Sequence, residues 1–171
     1  MIRNDLIREI QSHPKNEISC NRILVAIDGS QQAFKAVNEA IQLSVITNAE
    51  LTILMVVDYD KNVSAFEQVT LSGYVPAELK VAAYKFLAEL MHVIPSEIKA
   101  HTRVETGHPS EIILAVAEEE ASDLIIMGTR GLGAVHSLLA GSVSNHVVQY
   151  AECPVLLCKG ITNDFENVEI W

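Results

Sequence analysis

The residues best suited to chemistry lie in one stretch, Gly128–Val148, which reads GTRGLGAVHSLLAGSVSNHVV. It follows a short apolar run, Leu124-Ile125-Ile126-Met127, bounded by Asp123 and Gly128, the pattern of a fully buried strand. Gly128 and Gly131 come close together and a loop of nine residues follows. Gly141-Ser142 then opens a segment with apolar residues at Val143, Val147 and Tyr150, which is helical spacing. Glycines let a backbone approach a ligand closely and adopt positive φ. A helix start presents unpaired N–H groups and the positive end of the dipole, for which phosphate is a natural guest. Ser142 can cap that helix or turn its hydroxyl to a phosphate oxygen. The spacing Gly-x2-Gly-x9-Gly-Ser is neither the Rossmann fingerprint nor the P-loop, since no Gly-Lys-Ser/Thr follows.

A site of this kind needs a scaffold, and the rest of the chain reads as one. Arg22–Ile27 (RILVAI) is a continuous apolar run, as in a buried parallel strand, and ends in Asp28-Gly29-Ser30. Ser30 suits the cap of a helix with the stripe Phe34, Val37, Ile41 and Val45. Leu51–Val57 is a second strand with Asp58 at its end, and 59–75 has no clear period and reads as a long excursion. Pro76 opens a helix with Leu79, Ala83, Phe86, Leu87 and Leu90 on one face. Ile98–Glu105 alternates, which marks a strand with one wetter face, at home on a sheet edge. Gly107-His108-Pro109-Ser110 turns into a helix bearing Ile112, Ile113, Val116 and Ala117, and Pro154–Cys158 closes the series with its proline at the strand's first position. The order β-α-β-α-β-α-β-α-β is that of an open parallel sheet with helices on both faces, a three-layer α/β sandwich.

The chain has 171 residues and 49% hydrophobic composition, which suits one domain with a real core. A net charge of −10 argues against a nucleic-acid or anionic-membrane surface, and no apolar run reaches membrane-spanning length. It also means that bound phosphates are held mostly by backbone dipoles and a metal ion rather than by lysines. Cys20, Cys153 and Cys158 have no metal spacing and read as small buried or half-buried hydrophobes of a reducing cytoplasm. Ile2, Leu6, Ile7 and Ile10 could stripe a short helix near the start; a loosely packed terminus is the preferred reading. Ile161–Trp171 is an acidic tail.

The glycine motif resembles the nucleotide-binding motif of the universal stress protein family and fits it without a gap at Gly128, Gly131, Gly141 and Ser142. The resemblance extends over about Asn21–Gly160. It takes in Ile27-Asp28-Gly29-Ser30, Val56-Val57-Asp58, Gly107-His108-Pro109, the run Ser122–Gly128, and Cys153-Pro154-Val155-Leu156-Leu157. It implies a Rossmann-like five-stranded sheet in the order 3-2-1-4-5, with 1–20 an N-terminal extension, 21–160 the domain and 161–171 a tail. Strands one and four are then neighbours, and ligands bind outside the carboxyl ends at such a switch point.

The ATP-binding branch of that family implies the rest. Ala26 and Val56 line an adenine pocket, Asp28 accepts a hydrogen bond from base or ribose, and Ile27, Ser30, Val57 and Met127 are further nucleotide-binding residues. Gly128, Thr129, Arg130, Gly131, Leu132, Gly133 and Ala134 wrap ribose and phosphates, and Gly141, Ser142, Val143 and Ser144 hold the phosphate tail. The ligand is ATP (or AMP or ADP), with Mg2+ held mainly by the phosphates. A homodimer through Val155, Leu156 and Leu157 is implied as well.

Duller roles stand beside these. Asp28 could simply satisfy backbone N–H groups, Asp58 could form a turn, and Arg130 could lie in solvent. His136 could reach phosphate, His146 reads as a surface or interface residue, and Glu118-Glu119-Glu120 reads as a solvated helix end. With no P-loop lysine and no obvious base, the sequence favours nucleotide binding over fast turnover. The expected function is a nucleotide-dependent sensor or regulator in the cytoplasm, with a protein partner of unknown identity. The alternatives are a slow ATPase or autophosphorylating enzyme with Ser142, Ser144 or His136 as acceptor, and a dimeric scaffold without nucleotide.

Overall fold

A computed structural model describes residues 20–58, 77–129 and 141–159. The amino-terminal stripe, the excursion with Pro76, Arg130–Ala134, His136 and the tail with Trp171 lie outside the described residues. Among the described residues nine elements alternate: β1 (Arg22–Ile27), α1 (Gln31–Thr47), β2 (Glu50–Val57), α2 (Ala77–Met91), β3 (Ala100–Thr106), α3 (Pro109–Glu119), β4 (Leu124–Gly128), α4 (Ser142–Tyr150) and β5 (Val155–Cys158). All four strand pairings are parallel, in the order β3-β2-β1-β4-β5. The implied sheet order and the expected edge position of the alternating strand are both found.

Strand alternation sends successive side chains to two cores, one on each side of the sheet. Ile23, Val25, Ile27, Leu51, Ile53 and Ile126 pack under α1 and α2 with Ala36, Val37, Leu87 and Leu90. Leu24, Ala26, Leu54, Ile125 and Met127 pack under α3 and α4 with Ile113, Val116 and Val147. Residues on both faces are fully buried because helices cover both, and each large aliphatic side chain so buried contributes about 1.5–3 kcal/mol.

Three sequence expectations are corrected here. The face that α1 buries is Ala33, Ala36, Val37, Ala40 and Ser44, whereas Phe34 and Val45 are exposed. Small side chains let this helix lie close against β1 and β4, so the larger ones stay outside. Tyr150 points outward, its ring against His146 with centroids 4.6 Å apart, and Val147 alone anchors the middle of α4. Glu118 and Glu119 are exposed as expected, although Glu119 pairs with Arg103, whereas Glu120 is half-buried and ion-paired rather than solvated. The cysteines are as expected: Cys158 is buried, Cys20 and Cys153 are half-buried, and all three thiols are free.

Candidate functional site

The carboxyl end of the sheet is notched at β1. Ile27 is the last β1 residue paired to β2, opposite Met55, while Val56 and Val57 continue upward beside Glu105 and Thr106 of β3. On the other side Ala26 pairs with Met127, and Gly128 continues beside Cys158 of β5. At about 3.3 Å per residue, β1 therefore stops some 7 Å below the end of β2. Connections leave β1 and β4 in opposite directions around this step, which is where open α/β sheets take ligands.

The floor of the notch is Asp28-Gly29-Ser30. Gly29 has φ +83° and no described atom within 4 Å of where a Cβ would stand, so its conformation, not its space, calls for glycine. Asp28 Oδ1 accepts the Ser30 N–H at 3.0 Å, an Asx-type turn. Ser30 Oγ accepts the Ala33 N–H at 3.2 Å and caps α1, as its type and position led one to expect.

The opposite wall is the start of α4. Its N-cap is Gly141 (φ −79°, ψ 165°), which has no side chain to offer, and Ser142 is the first helical residue rather than the cap. Asn145 N–H donates to the Gly141 carbonyl at 3.0 Å as the first full turn, so the N–H groups of Ser142, Val143 and Ser144 lack intrahelical acceptors. Thr129 ties this start to the sheet. Its N–H donates to the Cys158 carbonyl at 3.0 Å, and its own carbonyl accepts the Gly141 N–H at 2.7 Å and the Ser144 hydroxyl at 2.8 Å. Its hydroxyl donates to Gln32 Oε1 of α1 at 3.3 Å. Gln32 is a supporting residue that motif spacing could not reveal; its only sequence signal is its place in the first turn after Ser30.

Of the residues named from sequence, Ala26, Asp28, Ser30, Val56, Met127, Gly128, Thr129 and Gly141–Ser144 thus meet at one end of the sheet. Ala26, Val56 and Met127 belong to the core under α3 and α4, whereas the Ile27 side chain belongs to the opposite core, beside Phe34 and Phe86. Ser144 is buried, and its hydroxyl is also within 3.0 Å of the Gly141 carbonyl.

A second polar cluster runs along the edge strand β3, from His101 near the amino end of the sheet up to Glu105, and its charged groups pair with one another. Arg103 of β3 binds Glu105, Glu119 and Glu120 at 2.6, 2.7 and 3.2 Å. Glu120 also accepts from Thr52 and faces His101. Burial works to raise the Glu120 pKa, but the hydrogen bonds from Thr52 and Arg103 and the His101 ring outweigh it and hold the carboxyl below its usual range. The three carboxylates push the Arg103 pKa higher still. In the thiols, burial raises the pKa of all three cysteines. Among the described residues no group of three or more His, Cys, Asp or Glu is placed to hold a metal ion.

The sequence profile of the universal stress protein family matches residues 20–159. The chain belongs to that family. A putative universal stress protein of Staphylococcus aureus is 37% identical over 147 residues, 83% of this chain and 86% of the relative. Among solved structures, UspA from Lactobacillus plantarum shares 28% identity with a TM-score of 0.67, over 81% of this chain and 97% of that one. Two more distant members share the fold. A universal stress protein in complex with cAMP has 24% identity and a TM-score of 0.62 over 82% and 98% of the two chains. One from Archaeoglobus fulgidus in complex with dAMP has 19% identity and a TM-score of 0.62 over 81% and 98%. No described helix is long and apolar enough to cross a membrane.

Proposed function

We propose that this universal stress protein binds ATP, or AMP or ADP, in the notch above β1 and acts as a nucleotide-dependent regulator in the cytoplasm. The observation that carries the reading is the open start of α4, held beside a carboxylate-bearing turn at the switch point of the sheet. The motif Gly128, Gly131, Gly141 and Ser142 supports it, as do the cAMP and dAMP complexes, whose ligands share an adenine and a phosphate. Ala26 and Val56 flank the base, and Asp28 accepts from base or ribose; a carboxylate has acceptor positions for both the Ser30 N–H and a ligand. Gly128–Ala134 wrap ribose and phosphates, and the N–H groups of Ser142, Val143 and Ser144 hold the phosphate tail. Mg2+ is bound mainly by the phosphates.

The second copy docks on β5. This edge presents Val155, Leu156 and Leu157, with Leu156 exposed, while the other edge, β3, carries Lys99, His101, Arg103 and Glu105 at its start and along it. Charges blunt an edge against pairing and an apolar edge invites it. A monomeric mass at micromolar concentration would remove the dimer from this reading. The nucleotide assignment is tested by mass spectrometry of whatever the purified protein releases on denaturation, followed by calorimetric titration with ATP and AMP, with and without magnesium. Bound or micromolar adenine nucleotide is expected; none under any of these conditions sinks the reading.

A further inference from the structure

We infer that Ser144 is a positioning residue, which sets the aim of the phosphate-binding N–H groups without its hydroxyl touching the ligand. The inference rests on the nucleotide reading above and goes beyond it. Ser144 is 2% exposed, so its side chain faces the interior rather than the notch. Its single hydroxyl proton serves the carbonyls of Thr129 at 2.8 Å and Gly141 at 3.0 Å. The contact to Gly141 is local, three residues back along the chain, and many helical serines make one like it. The contact to Thr129 spans fifteen positions and has a different meaning.

The Thr129 carbonyl is a fixed reference point. The residue is itself buried and held from two sides, by Cys158 of β5 through its N–H and by Gln32 of α1 through its hydroxyl. The Gly141 N–H reaches that same carbonyl at 2.7 Å. One hydrogen bond fixes how far the helix start lies from β4 but lets the helix pivot about it. The second, from Ser144 nearly one turn later, removes the pivot. Both lone-pair positions of one carbonyl are thus used to fix an axis, and that axis decides where the N–H groups of Ser142 and Val143 point. Anion binding by such groups depends on their convergence, and a displacement of about 1 Å in a positioning contact is enough to be felt strongly.

The test separates phosphate from the rest of the ligand. Adenosine and AMP are titrated calorimetrically into wild-type protein, Ser144→Ala and Ser144→Cys. Cysteine keeps the volume with a poor donor, so it decides the matter if alanine fails to fold. Both variants should bind AMP about tenfold more weakly, while adenosine affinity stays at the wild-type value, because a lost buried hydrogen bond loosens only the phosphate end. Undiminished AMP affinity in the variants, or an equal loss for adenosine, overturns the inference and leaves the nucleotide reading standing. A wild-type protein that binds adenosine but prefers AMP not at all overturns the phosphate site itself, and with it the role of Ser144.

Discussion

The two ends of the sheet treat polar groups in opposite ways. At the amino end the fold satisfies them itself. Asp123 accepts the N–H groups of Asn21 and Arg22 at 2.7 and 3.0 Å, the Arg22 guanidinium donates to the Glu120 carbonyl at 3.1 Å, and Glu120 is bound by Thr52 and Arg103. At the carboxyl end the treatment differs from helix to helix: α3 starts at His108 with no side-chain cap bond, and α1 and α4 flank the notch. The start of α1 is closed by the Ser30 hydroxyl, with Asp28 next to it. The start of α4 is capped by a glycine, which has no side chain to close it. Leaving α4 with a glycine cap costs little, since a serine or aspartate cap exceeds glycine by only a few tenths of a kcal/mol. On the reading proposed above, the α4 start keeps its donors for the phosphates, whereas the Ser30 hydroxyl is spent on α1.

The sharpest way to break this contrast is to close α4 as α1 is closed. Gly141→Asp puts a carboxylate within reach of the N–H groups of Val143 and Ser144, at backbone angles any residue adopts. It repels phosphate as well as competing for the donors, so ATP and AMP affinity should fall by about a hundredfold or more. Thermal stability should hold or rise by a few tenths of a kcal/mol. Nucleotide affinity that survives this change in a folded protein would mean that the phosphates lie elsewhere.

The complementary change opens α1. Ser30→Ala removes the acceptor of the Ala33 N–H and should cost about 1 kcal/mol of stability, a fall in Tm of about 2–4 °C for a chain of this size. ATP affinity should change less than twofold, since the closed start gives the ligand nothing. A stability loss without a binding loss here, beside a binding loss without a stability loss at Gly141, is the signature of the division. Should Ser30→Ala instead abolish binding, the two helix starts would share one role.

Much of this was legible in the sequence, and the exceptions have physical causes. Continuous apolar runs such as RILVAI carry the buried strands, because a parallel sheet covered on both faces has no wet side. Ser30 was legible as a cap because capping is local. The buried face of α1 was not, since Phe34 and Val45 draw attention to one stripe while the sheet accepts the alanines of another. The glycine cap of α4 was hidden by the neighbouring Ser142, a better capping type that falls one position too late. Gln32, and the part Ser144 plays, rest on partners 97 and 15 positions away, which no local pattern displays. Glu120 was misread within the acidic run for the same reason, its partners lying on β2 and β3.

That run also supplies the gentlest test, of the claim that the amino end is structural. The folded-state pKa of Glu120 is depressed, because the hydrogen bonds from Thr52 and Arg103, together with His101, prevail over burial. Its carboxylate is thus more favoured in the folded chain than in the unfolded one. The resulting stability is fully present above the unfolded glutamate pKa and is lost as pH falls through the folded one. Wild-type protein and Glu120→Gln should differ at about pH 7 by less than about 1 kcal/mol, in favour of wild type, and the difference should shrink by about pH 4. Urea unfolding at the two pH values reads it. Nucleotide affinity should be the same in both, because Glu120 is bound by Thr52 and Arg103 and lies away from the notch. A Glu120→Gln protein with wild-type stability but weakened ATP binding would reverse the roles assigned to the two ends.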